Sequence, residues 1–125
     1  METRYKGQIA ELKACIKALE KGFIISKPVV DSRYDLVIDD GEKLWRVQVK
    51  YCDNTESNRG TSASVGLRRW AGSNSKITRN YKASEIDALV VYLPATDKLY
   101  WIPAERIDDK PSISLSLKKP TGFEW

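Results

Sequence analysis

Val47-Gln48-Val49-Lys50, the centre of a run that opens at Leu44-Trp45 and closes near Tyr51, decides the fold of this 125-residue chain. Its valines alternate with an amide and a lysine. In a strand of period two, Gln48 and Lys50 therefore share one face and the valines the other. Asp35, twelve residues before Val47, interrupts Tyr34-Asp35-Leu36-Val37-Ile38, a stretch otherwise rich in strand formers. Glu11 stands upstream on a segment of helical spacing. A carboxylate, an amide oxygen and a lysine converging on one patch are costly to bury. Such groups are kept mainly for structural pairing or for chemistry on an anion held by a metal.

Working outward, residues 2 to 21 place Ile9, Leu12, Ile16 and Leu19 at helical spacing, with Cys15 and Ala18 nearby and Gly22 as the stop. This spacing predicts a helix with those side chains toward the core. Phe23–Val30 reads as a strand in which Pro28 marks an edge or an early end. Arg33–Asp39 reads as a second strand, and the cluster at 39–42 turns the chain into the third. Ala63–Trp70 alternates weakly, with a loop expected over 71–80 and a helical turn at 84–86. Ala88–Leu93 and Leu99–Ile102 read as a hairpin, followed by one helical turn at 103–107 with proline first, and an edge strand at Ser112–Leu117. The pattern is that of a single α/β domain over residues 1–125.

Composition narrows the chemistry. The chain contains no histidine, which removes His-based acid–base catalysis, His–metal ligation and Ser-His or Cys-His nucleophiles. Cys15 and Cys52 are too few and too far apart for a disulfide scaffold, and reduced thiols in or near the core are expected. No apolar run reaches the length of a membrane span and no signal peptide is evident, so an intracellular, cytoplasmic protein is expected. Net charge is +4, unevenly spread. Arg59, Arg68, Arg69, Lys76, Arg79 and Lys82 fall between Asn58 and Lys82 with no acidic residue among them. That polar stretch, rich in Ser, Asn, Gly and Thr and interleaved with Trp70 and Tyr81, suits phosphates and base edges. It reads as a DNA-contacting insertion over about 53–82; the alternative is a solvated loop.

The order of these features resembles the PD-(D/E)XK nuclease superfamily. Gly7-Gln8-Ile9-Ala10-Glu11 looks like its helix motif, Tyr34–Ile38 like its metal-binding Asp strand, and Val47–Lys50 like its (D/E)XK strand. Ile86–Tyr92 and Leu99–Pro103 resemble later strands of the same core, so the resemblance covers roughly residues 7–107. It implies a restriction-endonuclease-like core, a mixed central sheet flanked by helices. One departure stands out: Gln48 occupies a place that usually holds Asp or Glu. Gln-x-Lys there is similar to an intron-encoded homing endonuclease branch, whereas archaeal Holliday-junction resolvases share the frame but usually keep Glu.

The resemblance implies a catalytic set of Glu11, Asp35, Gln48 and Lys50. Asp35 would be the central ligand of Mg2+ (Mn2+ able to substitute), with Gln48, the carbonyl of Val49 and Glu11 as further oxygens. Lys50 would orient or help deprotonate the attacking water, leaving 5′-phosphate and 3′-hydroxyl ends. Gln8, Arg59, Arg68, Arg69, Lys76, Arg79, Lys82 and Tyr81 are the candidate DNA contacts. Double-stranded DNA is the expected partner, and double-strand cleavage by so small a chain calls for a homodimer or homotetramer. Ser112–Leu117 and Phe123–Trp125 are the expected interface elements. Three readings follow: a sequence-specific homing-type endonuclease, a structure-specific nuclease resembling a junction resolvase, and a DNA-binding module that has lost catalysis. The structural alternatives are an ion pair between Glu11 and Lys50, a pair between Asp35 and Arg33, Gln8 as plain surface, and the tryptophans as core or interface. Tyr81 stays open between core and contact.

Overall fold

The computed structural model describes residues 1–54, 60–70 and 78–125, with residues 68–70, 78 and 79 described by their backbone. Helix α1 (Thr3–Glu20) is followed by strands β1 (Ile24–Ser26), β2 (Leu36–Asp39) and β3 (Leu44–Tyr51). Strands β4 (Ser62–Gly66), β5 (Arg68–Trp70) and β6 (Thr78–Asn80) come next, then β7 (Ala88–Leu93) and β8 (Lys98–Pro103). A 3-10 turn (Ala104–Arg106) and β9 (Ser112–Ser116) complete the order. The main sheet runs β1-β2-β3-β7-β8, antiparallel except for the central β3/β7 pair, where Gln48 lies beside Leu89 and Lys50 beside Val91. Two ribbons, β4/β9 and β5/β6, stand apart from it.

The helix ends as its sequence requires. Gly22, at φ +80, lets its own N–H reach the Leu19 carbonyl and the Phe23 N–H reach the Ala18 carbonyl, both at 2.9 Å. These paired bonds satisfy carbonyls that would otherwise be left open at the helix end. The buried face differs from expectation. Ala10, Ala14 and Ala18 are fully buried, whereas Leu12, Ile16 and Leu19 are exposed. Alanines four apart let the helix axis approach the sheet closely, and they pack with Leu36, Ile38, Val47, Val49 and Val90. Larger side chains on that stripe would push the helix away.

Most of the remaining strand expectations match in place, with shorter ends. β1 stops at Ser26, before Pro28, whose missing N–H ends the ladder. β2 begins only at Leu36, so Asp35 precedes the strand. Residues 83–85 form a turn without helix. The other sheet face is covered by a second core in which Leu89, Val91, Tyr100 and Ile102 meet Ala63, Val65 and Leu115 of the β4/β9 ribbon. That ribbon, with α1 the one α-helix among the described residues, takes the place of a second flanking helix. The segments expected at a subunit interface serve within the chain. Leu115 is buried, and residues 123–125 edge β8 through Trp101 N–H to the Phe123 carbonyl (2.7 Å) and Trp125 N–H to the Leu99 carbonyl (3.0 Å).

Candidate active site

The site forms where β2 has not yet begun and β3 runs on beside β7, with its β2-facing edge left to Asp35. The Asp35 N–H donates to the Val47 carbonyl at 2.8 Å, one step beyond the Leu36–Val47 pair. Its carboxylate then turns onto the next rung, where Oδ2 accepts the Val49 N–H at 3.0 Å. N–H and C=O of one residue in an antiparallel ladder point to the same side, so the Val49 carbonyl also faces this edge. β3 thus presents two valines to α1 and Gln48 and Lys50 to the opposite face, as the alternation requires.

Glu11 comes from the helix. The ion pair of Lys6 Nζ with Asp53 Oδ2 (2.6 Å) ties the start of α1 to the chain just past β3. Glu11 itself pairs with Lys27 Nζ at 2.5 Å, which raises the lysine's pKa first through that hydrogen bond and then through the carboxylate's charge. Glu11 thus has Lys27 as an ion partner, and Arg33 pairs with Glu85.

Electrostatics joins these groups. Burial pushes the Asp35 carboxyl above its usual range, and the Val49 N–H pulls it back. Glu11 raises it further, Lys50 lowers it and Asp31 raises it. Charges on the helix and on the opposite sheet face thus both reach Asp35. Lys50 Nζ lies 5.3 Å from the centroid of the Tyr81 ring. Tyr81 is only 3% exposed and belongs to the second core, so the structure corrects its reading as a DNA contact. A ring with no solvent face packs beside Lys50 and cannot stack on a base.

The other expected contacts are placed as follows. Gln8 is exposed on α1. Arg68, Arg69 and Arg79 occupy paired positions of the β5/β6 ribbon, Arg68 opposite Asn80 and Arg69 opposite Arg79. Lys82 is exposed and pairs with Asp109 at 3.0 Å. Arg59 and Lys76 lie outside the described residues. Lys27 and Asp31 are the site residues that sequence reasoning missed. Both lie in a loop without periodicity, where only the charge types gave a signal.

The donors expected from the sequence are all oxygen: carboxylates of Asp35 and Glu11, the Gln48 amide and the Val49 carbonyl. Hard oxygen donors suit Mg2+ or Mn2+ rather than zinc. Burial of the Asp35 carboxylate, whose pKa Glu11 raises further, disfavours its charge, which a divalent ion would compensate. Among the described residues no three His, Cys, Asp or Glu side chains cluster for a metal, in keeping with an amide at position 48. Both cysteines are free thiols, Cys52 buried and Cys15 partly so.

Comparison with known proteins agrees with this architecture. The sequence model of the PD-(D/E)XK endonuclease family matches residues 1–122, and the chain belongs to that family. Its structure is similar to that of a bacterial homing endonuclease, I-Ssp6803I, with TM-score 0.79 and 27% identity over 99% of this chain and 89% of that one. It also shares its fold with Hjc, a Holliday junction resolvase from Archaeoglobus fulgidus (TM-score 0.55, 10% identity, 90% and 84% covered). No curated protein matches. Nucleases of this family generally use divalent metal ions. No helix among the described residues is long and apolar enough to cross a membrane.

Proposed function

We propose that this chain is a Mg2+-dependent endonuclease of homing type that hydrolyses phosphodiester bonds at a specific site in double-stranded DNA, Mn2+ being able to substitute. The observation that carries the reading is the Asp35 carboxylate, bound to the strand that bears Gln48 and Lys50 and electrostatically joined to Glu11. The near full-length likeness to a homing endonuclease favours a sequence-specific target.

Asp35, Glu11, Gln48 and the Val49 carbonyl would hold the ion. When bound, it polarises the phosphate and activates a water. Lys50 orients that water, assists its loss of a proton and carries positive charge beside the developing phosphorane. Gln8 contacts the scissile strand. Arg59, Arg68, Arg69, Lys76, Arg79 and Lys82 lie along the backbone and grooves, and a two-stranded ribbon such as β5/β6 has dimensions the major groove admits. Each site cuts one strand, so a homodimer or homotetramer makes the double-strand break. The exposed stripe Tyr5, Leu12, Ile16 and Leu19 on α1 supports association between copies. Its DNA substrate places its work inside the cell.

The test is Mg2+-dependent cutting of a randomised duplex library by wild type and Lys50→Ala, with a four-way junction alongside. Cuts at one long motif, lost in the variant, bear the proposal out. Cutting confined to the junction makes the protein structure-specific. DNA binding without cutting makes Gln48 the mark of a retired site.

A further inference from the structure

The segment between β1 and β2 is fastened into the site at both ends. At one end Lys27 pairs with Glu11 at 2.5 Å, and at the other Asp35 accepts the Val49 N–H. Between them Ser32 Oγ donates to the Tyr34 carbonyl at 2.8 Å, and Arg33 pairs with Glu85. At its tip, after Pro28, stand Val29 and Val30, 102% and 74% exposed. Neither side chain belongs to either core. Val30 is five residues from Asp35, which bounds their separation at about 18 Å for a fully extended chain. The next residue, Asp31, is close enough for its charge to be felt by Asp35.

We propose that Val29 and Val30 form an apolar wedge that enters the base stack beside the phosphate to be cut and opens one step of the duplex. The inference rests on the nuclease reading, since the scissile phosphate must lie at Asp35 and Lys50. A loop that begins and ends in that site holds its tip against the neighbouring base pairs. Valines gain nothing from phosphates or water, but they do gain from the apolar faces of bases. Side chains of this kind partly unstack a step and kink the duplex, at a cost met by the added contact. The fastening at Lys27, Arg33 and Asp35 keeps the tip from folding back. Because pyrimidine–purine steps open most readily, the wedge also selects sequence where no hydrogen bond reads a base.

The test uses the duplex selected from the library, with 2-aminopurine at successive steps around the cut and Ca2+ in place of Mg2+. The fluorescence of this base rises when it unstacks. Wild type is expected to raise it at one or two steps beside the scissile phosphate. Val29→Ser with Val30→Ser should abolish the rise and weaken binding several-fold without changing its salt dependence, while Val29→Leu retains the rise. A rise of equal size in the serine variant, or none in the wild-type complex, overturns the wedge and leaves the nuclease reading intact. A lower solution mass of the free serine variant assigns the tip to a contact between copies and likewise overturns it. Failure of wild type to bind the duplex overturns the nuclease reading and the wedge together.

Discussion

Asp35 Oδ2 and the Val49 N–H are joined at 3.0 Å, a side chain before one strand held by the backbone of the next. No substitution at position 49, proline excepted, removes that donor. The orientation of the site's central carboxylate is thus set by the same strand that points Gln48 and Lys50, so the three groups move as one unit.

Lys50→Met keeps the apolar stem and removes the charge. Loss of one positioned group facing developing negative charge costs about 10²–10³ in rate. Single-turnover cleavage should fall by that factor, with duplex affinity in Ca2+ little changed. An equal loss of affinity would mean that Lys50 serves binding rather than reaction.

Gln48→Glu supplies a third carboxylate next to Asp35. Calorimetry with Mn2+ should show tighter binding, since ligand charge raises affinity for hard cations. Without metal, repulsion should lower the melting temperature, and with metal the gap should close or reverse by linkage. Unchanged Mn2+ affinity would remove Gln48 from the ligand set.

Asp35→Asn separates function from stability. Because the folded-state pKa of Asp35 lies above its usual 3.8, the folded protein holds more proton there than the unfolded chain across the window just above that value. Stability therefore falls as pH rises through the window and stays reduced beyond it. Asparagine does not titrate, and its amide oxygen can still accept the Val49 N–H. The metal-free variant should melt above wild type at neutral pH, with the difference vanishing as pH falls below 3.8, while cleavage is lost. A pH-independent difference would point to packing instead.

Ala14→Leu and Leu12→Ser invert what residue size suggests. Ala14 is fully buried against the sheet, and overpacking there should cost about 1–3 kcal/mol. It should also reduce cleavage beyond the folded fraction, because α1 carries Glu11. Leu12 is exposed on the single chain, and its replacement should shift the chemical-denaturation stability of the dissociated chain by no more than about 0.5 kcal/mol. Equal effects would contradict the alanine face.

These inversions show where the sequence was legible. β3 could be read because two buried valines alternate with two polar residues, and β7 because Ala88–Leu93 is buried throughout. The helix could be read from spacing and Gly22, but not its orientation, because small residues carry a weak apolar signal and here make the closest contact. The start of β2 at Leu36 was hidden because Asp35 is followed by good strand formers, while its own bonds go to β3. Glu11 with Lys27 is a pairing across the fold, which no local pattern encodes. Tyr81, polar at one end and next to Lys82, stays open between core and contact in the sequence, and its ring belongs to the second core.

Cys52 N–H bonds the Tyr92 carbonyl at 2.9 Å where the chain leaves β3, and Asp87 N–H bonds the Arg46 carbonyl at 2.8 Å where it returns at the other end of the parallel β3/β7 pair, so both ends of the excursion are fixed. The entropy of closing such an excursion grows slowly, by about 0.6 kcal/mol for each doubling of its length. Ala63, Val65 and Tyr81 fix the base of the excursion in the second core, whereas the β5/β6 ribbon beyond them has no strand pairing with the main sheet, so its connection can lengthen or shorten with little effect on the strands that hold Asp35 and Lys50. On the proposed function, the part that contacts the target can thus change like a tool's interchangeable head while the cutting frame stays as it is.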